Sequence, residues 1–308
     1  MSLKDIKGKI KSVNRTRQVT KAMEAVSAVK MRKSQQRALS GRPYASAALS
    51  ILERIAPSLA TVQHPLTVAR PVTRVALVAV TSDKGLCGVL NSGVLKVCAH
   101  TEETLKAEGI GKEDIDIIAF GRKAAEHYAR RGYAITAQFQ NVSDDVSIDD
   151  VSDTARQLVE GFMLGAYDRV YVAYSNFRST FEQEAVVHQV LPLQSNVIEE
   201  MVKGIAPTKG EYAEEGQKNA PAFYTVEPSQ DEVLSVLLPR LTAVIVYHAL
   251  LESKASEHSA RMVAMKNASD KSRDLAKSLT RQFNKARQAA ITAEVSEIVG
   301  GIEAMASA

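Results

Sequence analysis

Apolar side chains in the first thirty residues fall on one face of a helix. Leu3, Ile6, Ile10 and Val13 are spaced by threes and fours, and the stripe is expected to drift on through Val19, Ala22, Met23, Val26 and Val29. That spacing returns a side chain to the same side every turn, so it predicts a helix with one buried stripe. No Gly or Pro occurs from Lys9 to Ser40. Gly41 and Pro43 are then expected to interrupt or kink the helix, with "YASAALSILERIA" helical beyond them.

The middle of the chain changes period. Strands are predicted at Val75–Val80, Asp116–Phe120, Ile135–Phe139, Arg169–Tyr174 and Glu184–Leu191. Helical patterns fall between most of them, at Asn91–Lys106, Arg122–Arg131 and Val151–Gly165. Alternation of this kind predicts a mostly parallel sheet covered by helices. The last two strands are joined only by "SNFRSTFEQ", which predicts an antiparallel hairpin at one edge. Residues 194 to 230 carry Gly204, Pro207, Gly210, Gly216 and Pro221 and read as a connector.

Helical spacing then returns. Between Arg240 and Val299 there is no Gly or Pro. Stepping from Leu237 by alternating fours and threes gives Leu241, Val244, His248, Leu251, Ala255, His258 and Met262, and continues to Ala293 without meeting a charge. This is a sustained heptad seam, and the helix it implies is about 90 Å long at about 1.5 Å per residue. Two such helices at opposite ends of the chain suggest one antiparallel coiled coil with a compact domain inserted. Ser269, Ser272 and a run of alanines make the seam narrow and weakly apolar. That composition suits a rod sheathed by other protein better than a free coil.

Composition adds one asymmetry. The net charge is only +4, yet from Lys4 to Arg42 twelve Lys or Arg stand against Asp5 and Glu24. An acidic partner is the expected consequence. Nucleic acid is disfavoured, because the first 43 residues carry no aromatic side chain to stack on bases. No apolar stretch is expected to reach the roughly 18 residues that span a bilayer, and "MSLKDIKGKIKSVNRTRQ" lacks the apolar middle of a secretory signal. Cys87 and Cys98 are expected to be buried reduced thiols, in keeping with a reducing compartment.

"VALVAVTSDKGLCGVLN", residues 75 to 91, is the one stretch that looks like a nucleotide site. It fails on detail. A phosphate-binding loop of the Walker type places Lys and a hydroxyl after its second glycine, whereas Lys84 precedes Gly85. The dinucleotide fingerprint needs three glycines, and Gly85 and Gly88 supply two. The loop therefore reads as a turn between strand and helix. The six histidines show no i, i+4 pairing, so no metal is expected. His248 and His258 fall on the seam, where hydrogen-bonded packing is the expected role. On the residues alone three readings stand: a non-catalytic shaft, a nucleotide-dependent α/β enzyme with helical arms, and a static coiled-coil scaffold.

Four segments resemble one family. "TKAMEAVSAVKMRKSQ" (Thr20–Gln35), "SDKGLCG" (Ser82–Gly88), "ASEHSARMVAMKNASD" (Ala255–Asp270) and "NKARQAAITAEVSEIVGG" (Asn284–Gly301) are similar to signature segments of the F-type ATP synthase gamma subunit. The resemblance covers essentially the full length. It implies a long antiparallel coiled coil of N- and C-terminal helices with an inserted Rossmann-like α/β domain. The corresponding boundaries are 1–58, 72–195 for the α/β domain, 196–230 for the connector and 231–300.

The function implied is that of the central rotor, without catalytic, cofactor-binding or metal-binding residues of its own. The shaft would stand in the bore of an alpha–beta hexamer, one copy per complex. Its α/β domain would face the epsilon subunit and the membrane c-ring, with no insertion into the bilayer. The family's shaft contacts to the beta subunits, whose loops are acidic, match Met23, Arg287, Gln288, Thr292, Glu294 and Glu297. "VSEIVGGIEAMASA" would turn in an apolar sleeve. Val89 stands where family members often have another glycine, and the connector lacks the cysteine pair of chloroplast relatives. The implied location is the cytoplasmic face of a bacterial inner membrane.

Overall fold

The computed structural model describes residues 2–59, 64–193 and 230–306. In chain order these form α1 (Leu3–Leu59), β1 (Val75–Val80), α2 (Leu90–Ala107), a 3-10 turn (Lys112–Asp114), β2 (Ile115–Phe120), α3 (Arg122–Arg131), β3 (Ala134–Phe139), α4 (Asp149–Met163), β4 (Arg169–Phe177), β5 (Gln183–Leu191) and α5 (Gln230–Ala306). The connector predicted at 194 to 230 lies almost wholly outside the described residues. Residues 28–261 form one compact unit, and residues 1–27 form another with 262–308.

The sheet of the larger unit has the order β3-β2-β1-β4-β5. Its first four strands are parallel, and β5 returns antiparallel beside β4, as the short "SNFRSTFEQ" link requires. Because side chains alternate across a strand, each strand feeds two cores. Ala76, Val78, Val80, Ile118 and Phe120 face α4 and α5, while Val75, Leu77, Ala79, Ile115 and Ile117 face α2 and α3. Burial on both faces explains why β1 reads as an unbroken apolar run and β2 as one broken only by Asp116, which pairs with Arg74 (2.9 Å). Cys87 and Cys98 are buried free thiols, and burial pushes the Cys98 thiol up to about 12.

Gly121 ends β2 with φ +88°, and a Cβ there would lie 2.2 Å from the Thr81 carbonyl oxygen. Only glycine lets the loops leaving β1 and β2 approach this closely. The ladder then runs one residue further, with Thr81 N donating to Phe120 O (2.8 Å) and Gly121 N to Phe139 O (2.8 Å).

Three expectations need correction. First, α1 does not break at Gly41 or Pro43 but runs unbroken for 57 residues. A proline removes one main-chain donor, and the helix formers of "YASAALSILERIA" sustain the turns beyond it.

Second, the buried stripe of α1 does not drift. After Leu3, Ile6, Ile10 and Val13 the seam continues by alternating fours and threes through Arg17, Thr20, Glu24, Ser27, Met31 and Ser34, all covered or half covered. Of the positions expected beyond Val13, only Met23 is half covered as well. Val19, Val26 and Val29 are 58%, 56% and 71% exposed, and Ala22 is exposed too. Thr20 can take a seam position because its hydroxyl donates back to Thr16 O and Arg17 O, both at 3.0 Å. Polar residues that satisfy themselves carried the heptad where apolar ones were expected.

Third, α5 contains an 18-residue window with mean hydropathy 1.8, long and apolar enough by composition to span a bilayer. Its start is a core helix instead: Leu234, Leu238, Leu241, Val244, Ile245, Val246, Ala249 and Leu250 all pack into the sheet's larger core.

In the smaller unit α1 leads out at Ser27 and α5 leads in at Met262, so the two helices run in opposite directions. The predicted α5 seam is covered at Met265, Ser269, Ala276 and Leu279 and half covered at Phe283, Ala286 and Ala290. From Ile291 to Ile302 every residue is exposed.

Candidate functional site

The glycine loop between β1 and α2 is closed by its own hydrogen bonds. Ser82 N donates to Asn91 Oδ1 (2.9 Å), Ser82 Oγ to Lys84 O (2.6 Å), and Asn91 Nδ2 to Ser82 Oγ (2.8 Å). Arg261 on α5 donates to Lys84 O (3.2 Å) and Gly85 O (3.4 Å). A loop that binds phosphate turns amide hydrogens towards its ligand; this one turns carbonyls towards a guanidinium. Asp83, the other candidate, accepts from Arg122 N (3.0 Å) at the start of α3 and from Asn141 N (2.9 Å). Its carboxylate is taken up in joining three segments.

The crevice above the strand ends, where open α/β sheets hold ligands, is filled. What remains between Thr81, Asp83, Gly121, Val142 and the α5 residues Leu250, Ser253, Lys254 and Glu257 is a cavity of about 10 Å³, no more than one water needs. α5 seals this edge with hydrogen bonds as well as bulk. Ser253 Oγ accepts from Ser175 N (3.2 Å), Ser256 Oγ donates to Ser175 O (3.0 Å), and Glu252 Oε2 accepts from Phe177 N (3.1 Å). Between these residues the crevice has no room for a nucleotide. Among the described residues no group of three or more His, Cys, Asp or Glu is placed to hold a metal.

The exposed surface lies in the smaller unit. Arg287, Gln288, Thr292, Glu294 and Glu297 are all exposed, and Met23 on α1 is half-buried. Thr292 Oγ1 donates to Gln288 O (2.9 Å), tying consecutive turns. Beside them Ile291, Val295, Ile298, Ile302 and Met305 are 47% to 77% exposed and recur by fours and threes. Among the described residues, an apolar stripe of that regularity is a seam without a covering partner.

One group of polar residues escaped the sequence reading. Asp144, in the loop after β3, accepts from His258 of α5 (2.8 Å) and from Lys30 of α1 (2.7 Å). The His258 hydrogen bond, then that of Lys30, holds the Asp144 carboxyl far below the usual carboxylate range against the opposing effect of burial. Arg261 sits beside it, paired with Glu257 at 2.7 Å. The i, i+4 spacing of Glu257 and Arg261 was the only local signal; the other partners lie more than a hundred residues apart.

The larger unit is a Rossmann-like α/β fold, and the smaller one is built from two long helices. The profile of the family described as ATP synthase matches residues 2–305. The chain belongs to the gamma-subunit family of the F-type ATP synthases, the rotor of the central stalk. Catalysis in such complexes lies in the beta subunits, so this chain is a non-catalytic part of a membrane-associated assembly.

Solved structures agree in fold. A chain in the central stalk and c-ring of the Tetrahymena thermophila mitochondrial ATP synthase is 25% identical, with TM-score 0.58 over 82% of this chain and 99% of that one. A chain in the Euglena gracilis mitochondrial rotor is 18% identical, with TM-score 0.62 over 94% and 98%. Another Euglena gracilis structure, containing OSCP, F1 and c-ring, gives 18% identity and TM-score 0.63 over 98% and 94%.

Proposed function

We propose that this chain turns inside an alpha–beta hexamer as its single asymmetric shaft, with the epsilon subunit and a membrane c-ring against its α/β domain. The observation that supports the reading is the seam of α5 from Ile291 to Met305, which no described residue of this chain covers. Met23, Arg287, Gln288, Thr292, Glu294 and Glu297 are the proposed contacts with the beta subunits. The basic α1 supplies charge complementary to acidic loops on those partners. Each rotor angle favours one beta conformation, and the difference in contact energy between conformations is the coupling between rotation and nucleotide affinity.

The proposed location is the cytoplasmic face of a bacterial inner membrane. Two buried reduced cysteines and a connector without cysteine support a reducing compartment.

Co-expression with alpha and beta subunits tests the assembly. A native mass of one copy per hexamer, with ATPase activity that depends on it, is expected. A chain that stays apart, or joins in threefold stoichiometry, overturns the single shaft. Fractionation of the source cells should return the chain with the inner membrane; recovery from an organelle overturns the location.

A further inference from the structure

The loop after β3 is held from two sides by residues on regularly spaced faces. On α5, Tyr247 donates to Val146 O (3.4 Å), Lys254 to Val142 O (2.8 Å), and His258 meets Asp144 (2.8 Å). On α1, Lys30 pairs with Asp144 (2.7 Å), while Arg37 donates to Asp144 O (2.9 Å) and pairs with Asp145. Positions 247, 254 and 258, like 30 and 37, lie two turns or one turn apart, so each set shares a helix face. One short loop of the α/β domain therefore engages both shaft helices at once. Asp144 is the one residue that uses both carboxylate oxygens and its carbonyl for the purpose.

We propose that Asp144 is a positioning residue for energy coupling, the point at which the α/β domain grips α1 and α5 so that the shaft and the domain turn together. The inference rests on the rotor reading above, in which the shaft and the domain must turn together. The described chain supports it physically. The grip is directional: Lys30 and Arg37 form ion pairs with Asp144 and Asp145, and Arg37 and Lys254 donate to main-chain carbonyls of the same loop. His258 is 3% exposed and Asp144 is partly exposed, so their bond is half-buried, whereas the Lys30 bond lies nearer the surface.

The test uses the assembled complex in sealed vesicles, with ATP hydrolysis and ATP-driven ion pumping measured on the same sample. Asp144→Ala should pump at least threefold fewer ions per ATP than wild type while hydrolysis continues. Asp144→Asn, which can still accept from His258 but carries no charge for Lys30, should fall between the two, and Asp144→Glu should restore most of the ratio. A purely structural role would lower the melting temperature and leave ions per ATP unchanged in all three, and that result overturns the proposal. If Asp144→Ala does not assemble, the surface variant Lys30→Gln decides: a lowered ratio supports the grip and an unchanged one removes it. Wild-type vesicles whose hydrolysis does not depend on this chain would overturn the rotor reading instead, which keeps the two failures apart.

Discussion

Arg261 donates from one helix to the main-chain oxygens of Lys84 and Gly85, at 3.2 and 3.4 Å, while Glu257 holds the same guanidinium at 2.7 Å. A loop that resembles a phosphate cradle thereby presents carbonyl oxygens to a guanidinium. Photolabelling of the assembled complex with an azido-ATP should accordingly leave this chain unlabelled. Lys84 is exposed, so Lys84→Ala should change stability by no more than about 0.5 kcal/mol. Arg261→Ala should cost roughly 3 kcal/mol, because it strands a nearly buried Glu257. Label on this chain that disappears in Lys84→Ala would restore the enzyme reading.

How far the sequence revealed this structure depended on where each partner lies. β1 and β2 were legible because strands buried on both faces are mostly apolar, Asp116 of β2 being the one charge in either, and the hairpin because nine residues cannot cross over a sheet. The α5 seam was legible through Leu279 because every fourth or third residue lacked charge. The α1 seam was lost beyond Val13, where Thr20 and Ser27 replaced apolar residues and the valines beside them faced outward. The Asp144 cluster could not be found, since Lys30 and His258 each lie 114 residues from it. Of the proposed contacts, none was legible from periodicity; they rest on the resemblance and on their exposure.

Glu102 is the polar centre of the α2–α3 face. Its two carboxylate oxygens accept from Tyr128 and Tyr133, each at 2.8 Å, and it is only 8% exposed. Burial, then the charges of Cys98 and Glu102, raise the Tyr128 hydroxyl far above its ordinary range. Burial and the Glu102 hydrogen bond push Tyr133 up to about 12. A raised folded pKa gives stability that is complete below the unfolded value near 10 and is lost as pH rises towards the folded one. Thermal melts should therefore show a steeper fall from pH 10 to 12 in wild type than in a Tyr128→Phe, Tyr133→Phe double variant. Equal slopes would remove the tyrosines from the alkaline limb.

Asp168 governs the acid side. Desolvation alone would raise its pKa, but hydrogen bonds from Thr73 Oγ1 (2.7 Å), Thr73 N (2.8 Å), Arg74 N (3.0 Å) and Arg70 Nε (2.6 Å) outweigh it and bring the value down to about 2. A depressed folded pKa gives stability that is complete above the unfolded value near 3.9 and is lost as pH falls through 2. Asp168→Ala should cost roughly 3 kcal/mol at pH 7, because Arg70 and three neighbouring donors lose their acceptor. The variant should also lose less between pH 4 and 2 than wild type does. Denaturant melts at pH 7, 4 and 2 measure both effects, and a variant as acid-sensitive as wild type would exclude Asp168.

Arg287 and Gln288 lie next to the uncovered stripe that begins at Ile291, and both are exposed. Replacing exposed side chains on one helical turn removes no packing inside this chain, and alanine is the best helix former. The double variant Arg287→Ala, Gln288→Ala should therefore melt within about 1 kcal/mol of wild type. If these side chains touch a beta subunit more favourably at one rotor angle than at another, their loss weakens the coupling instead. Allosteric coupling energies of about 1–3 kcal/mol correspond to roughly 5- to 150-fold in affinity, so a drop of severalfold in ions pumped per ATP is expected. Vesicles carrying the double variant, assayed for hydrolysis and pumping together, separate the two effects. An unchanged melt with impaired pumping places the pair at the interface with the partner. Normal pumping would move the contact elsewhere on α5, with Thr292, Glu294 and Glu297 the next residues to replace.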